Sequence, residues 1–317
     1  AWERFTGAEA IAAGRDTTLL KDGELYAETI LEIRPIGTDS SEIVWQWRAW
    51  DHLIQDYDST APNFGTSAQN PGRIDLNFVG VDPGEKDWLH FNGLDYNETL
   101  DQIVISCPEF HELWVIDHST TTAQAATSSG GLAKRGGDLI FRWGNPQAYG
   151  AGDSSDQQLY YQHNPHWINE EVPFTDPNYD RSMIFSNREP NDVSSVMIIE
   201  PTFDPYDWRY ELSGGNYLPA TPLWKYTDAG IYSNILSSGQ YLPNGNTLIC
   251  AGRPGYAREI NANDETVWDF KNPIVQGNPA TQGDSVALSS NMMFRLKRFS
   301  PHFDVFDGRT LTPGAGI

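Results

Sequence analysis

The chain has 317 residues, 39% hydrophobic and 12% aromatic, enough apolar matter for the core of one large domain or two ordinary ones. Its 43 acidic residues against 21 basic ones give a formal charge of −22, a surface that repels nucleic acid and anionic membranes. No apolar run is long enough to cross a bilayer, so neither a nucleic-acid partner nor insertion into a membrane is expected.

The chain opens on Ala1, with no initiator Met and no signal-type apolar segment, which predicts a processed product or a fragment. Ala8-Glu9-Ala10-Ile11-Ala12-Ala13 predicts a short helix with Gly14 placed to end it. Residues 28–33 and 42–47 then read as the closing strands of a sheet whose opening strands are missing. A second, longer copy predicts strands at 90–96, 102–106, 112–117 and 138–143, with a turn at 97–101. A third runs through 163–168, 183–185, 196–200 and 222–226.

The clearest copy follows at 238–242, 247–250, 256–260 and 265–270. Its Asn244-Gly245 is a strong hairpin signal, because both residues tolerate the positive φ of a type I′ turn. A last strand region is expected at 285–299. Segments 58–82, 119–137 and 203–220, rich in Gly, Pro, Ser, Asn and Asp, read as surface loops.

A recurring unit of four short antiparallel strands closing on an aromatic-rich strand is the pattern of a β-propeller blade. The fold class expected is therefore all-β, a single propeller domain over 1–317 that is incomplete at its N-terminal end. About four and a half blades are visible, which leaves the ring to be finished by preceding sequence or by another chain. A homo-oligomer is thus left open. Cys107 and Cys250 each end an apolar run and read as two buried small residues, with a disulfide between them left open.

Two histidines stand in matching settings at the heads of such units: His90 in Trp88-Leu89-His90-Phe91-Asn92 and His163 in Tyr161-Gln162-His163-Asn164-Pro165-His166-Trp167. A closed ring would bring both imidazoles to one central mouth. His163, His166 and His90 could also form an open three-nitrogen zinc site, but Pro165 breaks any helix that would align the pair, and no metal is assigned. Calcium in the Asp-rich stretches 153–156 and 176–180 is left open, although they lack the ligand spacing of a known loop type. The glycines fall in turns, not at strand-to-helix junctions, so no phosphate-binding loop is present. His118 reads as a turn residue, His111 as exposed, and Asn97-Glu98-Thr99 as a polar turn that also satisfies a glycosylation sequon.

The residues resemble the arylsulfotransferases that take aryl sulfates as donors and need no adenylylated sulfate cofactor. The resemblance rests on Trp88-Leu89-His90-Phe91-Asn92, Leu113-Trp114-Val115-Ile116-Asp117-His118-Ser119-Thr120-Thr121-Thr122, Phe141-Arg142-Trp143-Gly144-Asn145-Pro146, Gln162-His163 and Leu242-Pro243-Asn244-Gly245-Asn246-Thr247-Leu248. It implies a six-bladed propeller with its site in the central funnel, secreted or periplasmic, acting without a cofactor on a small aryl sulfate and a phenol. His163 matches the histidine that becomes sulfated. His90 and Asn92 match a His-x-Asn pair that holds the sulfuryl oxygens or assists the leaving phenoxide. The chemistry agrees, since a neutral imidazole is a good nucleophile and an N-sulfated intermediate divides one difficult transfer into two easier ones.

Two departures stand out. Pro108 occupies the place where the family carries an arginine, and proline offers neither charge nor donor. The family's further funnel histidine lies upstream, and His52 is too close in sequence to replace it. Arg188 and Arg253, each at the end of a strand, are the candidates to bind an anionic substrate in compensation. The alternative reading is a catalytically inactive propeller serving as an extracellular binding or structural module.

Overall fold

The alternating apolar and polar residues form antiparallel sheets in the computed structural model, which describes residues 1–169, 172–281, 283–300, 303–310 and 312. The chain divides into two compact units, Ala1–Pro165 with Pro201–Pro222 and His166–Glu200 with Leu223–Ile317.

The first unit opens with β1 (Trp2–Thr6), α1 (Gly7–Ala12), β2 (Glu24–Ile36) and β3 (Ser40–Arg48), the strands forming a sheet in that order. β1 supplies an opening strand that the sequence reading lacked. A capping box starts α1, Thr6 Oγ1 accepting from Glu9 N (3.3 Å) while the Glu9 carboxylate accepts from Thr6 N (2.7 Å). Gly14 follows with φ of +86°, as expected of the residue that ends the helix.

β4 (Leu53–Ile54) and β5 (Ile74–Asp75) form a short parallel pair, the latter inside the segment read as the loop 58–82. The four-stranded sheet β6 (Gly93–Asn97), β7 (Gln102–Cys107), β8 (Glu112–Asp117) and β9 (Phe141–Trp143) follows in sequential antiparallel order. A short helix, α2 (Thr122–Ala125), lies between its last two strands. Every residue of β7 and β8 is buried, as befits central strands with both faces covered. β6 starts three residues later than expected, which leaves His90 to Asn92 in the loop before it. β9 begins three residues later than expected: Leu139 N donates to Gly72 O (2.8 Å), outside the sheet, and the Asp138 side chain pairs with His52 (2.9 Å) and Arg73 (3.1 Å). Trp47, Trp114, Phe110, Leu89 and Ile105 pack the core.

The chain passes to the second unit within β10 (His163–Trp167), whose internal Pro165 suits its place at a sheet edge. That sheet runs β10-β11-β12-β17, with β11 (Ser182–Glu189) and β12 (Val193–Ile199). Before β17 the chain returns to the first unit and makes two small hairpins, β13 (Phe203–Asp204) with β14 (Arg209–Tyr210) and β15 (Leu212–Ser213) with β16 (Asn216–Tyr217). The second unit resumes with β17 (Trp224–Asp228) and a four-stranded sheet, β18 (Ser238–Tyr241), β19 (Thr247–Ala251), β20 (Tyr256–Ile260) and β21 (Thr266–Lys271). A small pair, β22 (Ile274–Val275) and β23 (Asn278–Pro279), follows. Gly239 lets two sheets of this unit meet closely, since a Cβ there would stand 2.7 Å from Val196 Cγ1 and 3.0 Å from Met183 Sδ.

The strand region expected at 285–299 is not a strand. The segment runs beside β18 but bonds mainly to side chains: Ser238 Oγ accepts from Leu296 N (3.2 Å) and Gln240 Oε1 from Arg298 N (2.7 Å), while Gln240 Nε2 donates to Arg298 O (2.9 Å). Ser237 N still donates to Phe294 O (3.0 Å) and Met293 N to Gly252 O (2.9 Å), but along β18 itself polar side chains take the place of the ladder. Both cysteines are free and buried, Cys107 donating its thiol proton to Leu89 O (3.3 Å). Among the described residues no helix is long and apolar enough to cross a membrane.

Candidate functional site

His90, Asn92 and His163 all lie in the first unit, in two loop-to-strand junctions that meet. His90 has φ of +52°, Tyr161 +55° and Asn164 +53°, left-handed conformations that side chains other than glycine rarely adopt. Each costs about 1–3 kcal/mol and persists only where its surroundings enforce it. Several contacts do so. Asp87 Oδ2 accepts from His90 Nδ1 (2.6 Å), Glu28 Oε1 from Phe91 N (3.1 Å), and His111 Nδ1 from Tyr161 N (2.9 Å).

The two junctions are latched through Gln162. Its carbonyl oxygen accepts from Asn92 Nδ2 (2.9 Å) and Ser106 Oγ (3.1 Å), and its side-chain Nε2 donates to Ser106 Oγ (3.1 Å) and Glu112 O (2.7 Å). Gly93 allows the approach: a Cβ there would stand 2.9 Å from Pro165 Cδ and 3.3 Å from Asn164 N. The Tyr161 ring is flanked by both imidazoles, its centroid 6.4 Å from that of His90 and 6.2 Å from that of His163. Asn92 Oδ1 and Gln162 Oε1 are buried and find no partner among the described residues.

The two histidines differ in access. The His90 side chain is 46% exposed, whereas His163 is only 5% exposed. With Nδ1 of His90 held by a carboxylate, Nε2 is the nitrogen presented outward, and the Asp87 hydrogen bond raises the His90 pKa above its ordinary value. This pair can carry a proton and stabilise negative charge developing nearby. Asp87→Asn is expected to lower the His90 pKa, as read by NMR titration of the imidazole; an unmoved titration would detach Asp87 from His90.

Arg188 and Arg253 belong to the second unit and meet one another at Asn234. Arg188 Nε donates to the Asn234 carbonyl (3.1 Å), and Arg253 donates through Nη1 to Asn234 Oδ1 (2.8 Å) and through Nε to Ser289 Oγ (3.0 Å). Pro108 begins a single 3-10 turn, Pro108–Phe110, at the end of β7, where its missing N–H costs nothing.

Other histidines have structural places. His52 is fully buried, its ring nitrogens 2.9 Å from Asp138 Oδ1 and 2.8 Å from Ala125 O. His118 sits between Asp101 (2.6 Å) and Glu32 (3.3 Å) at a strand end, in keeping with a turn residue. His111, read as exposed, is half-buried and holds the Tyr161 backbone. Among the described residues no group of three or more His, Cys, Asp or Glu side chains is arranged to hold a metal ion. A cleft of 40 Å³ lined by Trp143, Tyr149 and Tyr217 contains none of His90, Asn92 and His163, and its volume suits ordered water better than an aryl ring.

Asp87, Glu28, Gln162, Tyr161 and His111 were not singled out from the sequence as site residues. Asp87, three residues before His90, and Tyr161 and Gln162, next to His163, stood close to a motif histidine in sequence, whereas Glu28 and His111 gave no local signal.

No curated protein sequence matches the chain. Among solved structures it is similar to a protein of unknown function from Bacteroides caccae, at 10% identity and a TM-score of 0.30, over 79% of this chain and 75% of that one. The sequence pattern described as Arylsulfotransferase (ASST) matches residues 16–292, and the chain therefore belongs to the arylsulfotransferase family.

Proposed function

We propose that the protein transfers a sulfuryl group from an aryl sulfate to a phenol through a sulfated His163, within a β-propeller whose four-stranded sheets are blades of one domain in an exported protein. An imidazole nitrogen of His163 attacks sulfur, the S–O bond to the aryl group breaks, and phenoxide leaves with the electron pair. His90, whose protonated form the pairing with Asp87 favours, stabilises that phenoxide or returns it a proton. A phenol then gives its proton to the His90 imidazole and attacks the same sulfur, and the N–S bond breaks, restoring the His163 imidazole. Asn92 Oδ1, an acceptor with no donor among the described residues, suits the O–H of the incoming phenol. Arg188 and Arg253, both of the second unit, are proposed as anion-binding groups in a chain of charge −22.

The observation that carries this reading is the latch between Asn92 and Gln162, which fixes the His-x-Asn loop against the residue preceding His163. Double-reciprocal kinetics with an aryl sulfate and a phenol should give the parallel lines of a ping-pong mechanism; intersecting lines would point to direct transfer. Gly93→Ala should lower kcat about 100-fold with folding intact, because its Cβ would drive the loop from Pro165 and displacement by about 1 Å costs that much. Unchanged kcat would mean that the two motifs need not meet.

A second reading, a propeller that binds a glycan or aromatic ligand without transferring, is favoured by the burial of His163 at 5% exposure. A folded protein that binds aryl sulfate but releases no phenol would select it.

A further inference from the structure

The loop that carries His90 and Asn92 is held from behind by a carboxyl group of a distant strand. Glu28 lies in β2, is 8% exposed, and its Oε1 accepts from Phe91 N at 3.1 Å, a contact between residues 63 apart in sequence. Phe91 is the middle residue of His90-Phe91-Asn92, so this bond acts on the backbone between the two candidate side chains. The loop has few other backbone anchors: Asn92 N reaches Ser106 O at 3.4 Å, and Leu89 O accepts the Cys107 thiol. His90 is held in a left-handed conformation next to the Glu28 contact. The second carboxyl oxygen, Oε2, is buried with no hydrogen-bond partner among the described residues.

We propose that Glu28 is a positioning residue for the candidate site, setting through the Phe91 N–H where His90 and Asn92 stand. The proposal rests on the sulfotransferase reading for its catalytic consequence, while its structural content is independent of it.

The setting favours the neutral acid below about pH 7. Burial pushes the Glu28 carboxyl up from its ordinary 4.5 to about 7; the Phe91 hydrogen bond opposes this, Asp87 reinforces it and His90 opposes it. Cys107 and Glu109 are the other titratable groups of this neighbourhood, Glu28 acting on Cys107 and both Glu28 and Glu109 on His90. Folded protein thus holds a proton that the unfolded chain releases. The contribution of this group to stability is full below pH 4.5 and is lost as pH rises towards about 7.

Three forms of the full chain test this. Glu28→Gln keeps the acceptor for Phe91 and stays neutral; Glu28→Leu fills similar space without an acceptor. Hydrogen exchange of the Phe91 amide should remain at the wild-type level in Glu28→Gln and accelerate at least about tenfold in Glu28→Leu. Under the sulfotransferase reading, kcat should fall about 100-fold in Glu28→Leu with KM little changed, and Glu28→Gln should restore it. Melting temperature should decline between pH 4.5 and about 7 more steeply for wild type than for Glu28→Gln. Unchanged Phe91 exchange in a folded Glu28→Leu protein would overturn the proposal. Absence of transfer activity in wild type alongside accelerated exchange in Glu28→Leu would instead overturn the function and leave Glu28 as the anchor of the loop.

Discussion

Replacing His163 by Asn is expected to abolish sulfuryl transfer, with kcat falling on the order of 10⁴-fold or more, as when other enzymes lose a covalent nucleophile. Asparagine retains polarity and much of the volume but supplies no nucleophilic nitrogen. The surroundings should tolerate it. Gln162 is held by Ser106 and Glu112, and Tyr161 N by His111, none of which depends on the His163 ring. Release of phenol from an aryl sulfate should stop in a protein whose circular dichroism still shows the fold. Loss of His90 should be milder, about 10²–10⁴-fold, because an acid or charge-stabilising group contributes less than the nucleophile. A His163→Asn protein retaining activity within about tenfold of wild type would place the nucleophile elsewhere.

The largest effect on stability is expected at the ion pair beneath the site. Glu112 and Arg142 have side chains with 0% exposure, and Arg142 reaches the carboxylate through both Nε and Nη2. Trp114 Nε1 donates to Glu112 Oε2 (2.7 Å), and Arg142 Nη1 donates to Arg73 O (3.0 Å). Burial pushes the Glu112 carboxyl pKa up and Arg142 opposes it, so the two charges are mutually dependent. Glu112→Ala would leave a buried guanidinium without its counter-charge and should destabilise the protein by about 3–5 kcal/mol. Replacing both residues with apolar ones of similar volume should cost less than the single change, because no uncompensated charge remains. Urea denaturation of the two variants makes the comparison. A single-variant loss below about 1 kcal/mol would show that water reaches the pair. The main chain of Glu112 also anchors Gln162, so damage here spreads to the Asn92 latch.

The strands were legible where local chemistry determines them. The expected 112–117 and 256–260 coincide with β8 and β20, since apolar runs bounded by turn residues fix both ends. A hairpin also forms at Asn244-Gly245, with Tyr241 facing Thr247, but only Gly245 takes a positive φ (+82°) and Gly245 N donates to Leu242 O (2.9 Å), so the turn is not the type I′ expected. Residues 285–299 misled because their partners are the Ser238 and Gln240 side chains, a form of pairing that leaves no periodic trace. Within the candidate site, His90, Asn92 and His163 were legible as motif residues. Their supports were not. Glu28 lies 63 residues from Phe91, and His111 lies 50 from Tyr161, so only the folded chain brings them into contact. The convergence of Arg188 and Arg253 on Asn234 was hidden for the same reason.

Covalent sulfation of His163 is the central claim, and peptide mass spectrometry tests it most directly. Protein exposed to an aryl sulfate and quenched before an acceptor is added should carry one sulfuryl group on the peptide containing His163, and a phenol should discharge it. A folded protein that releases phenol while His163 stays unmodified, or that neither releases phenol nor gains the group, would contradict the account.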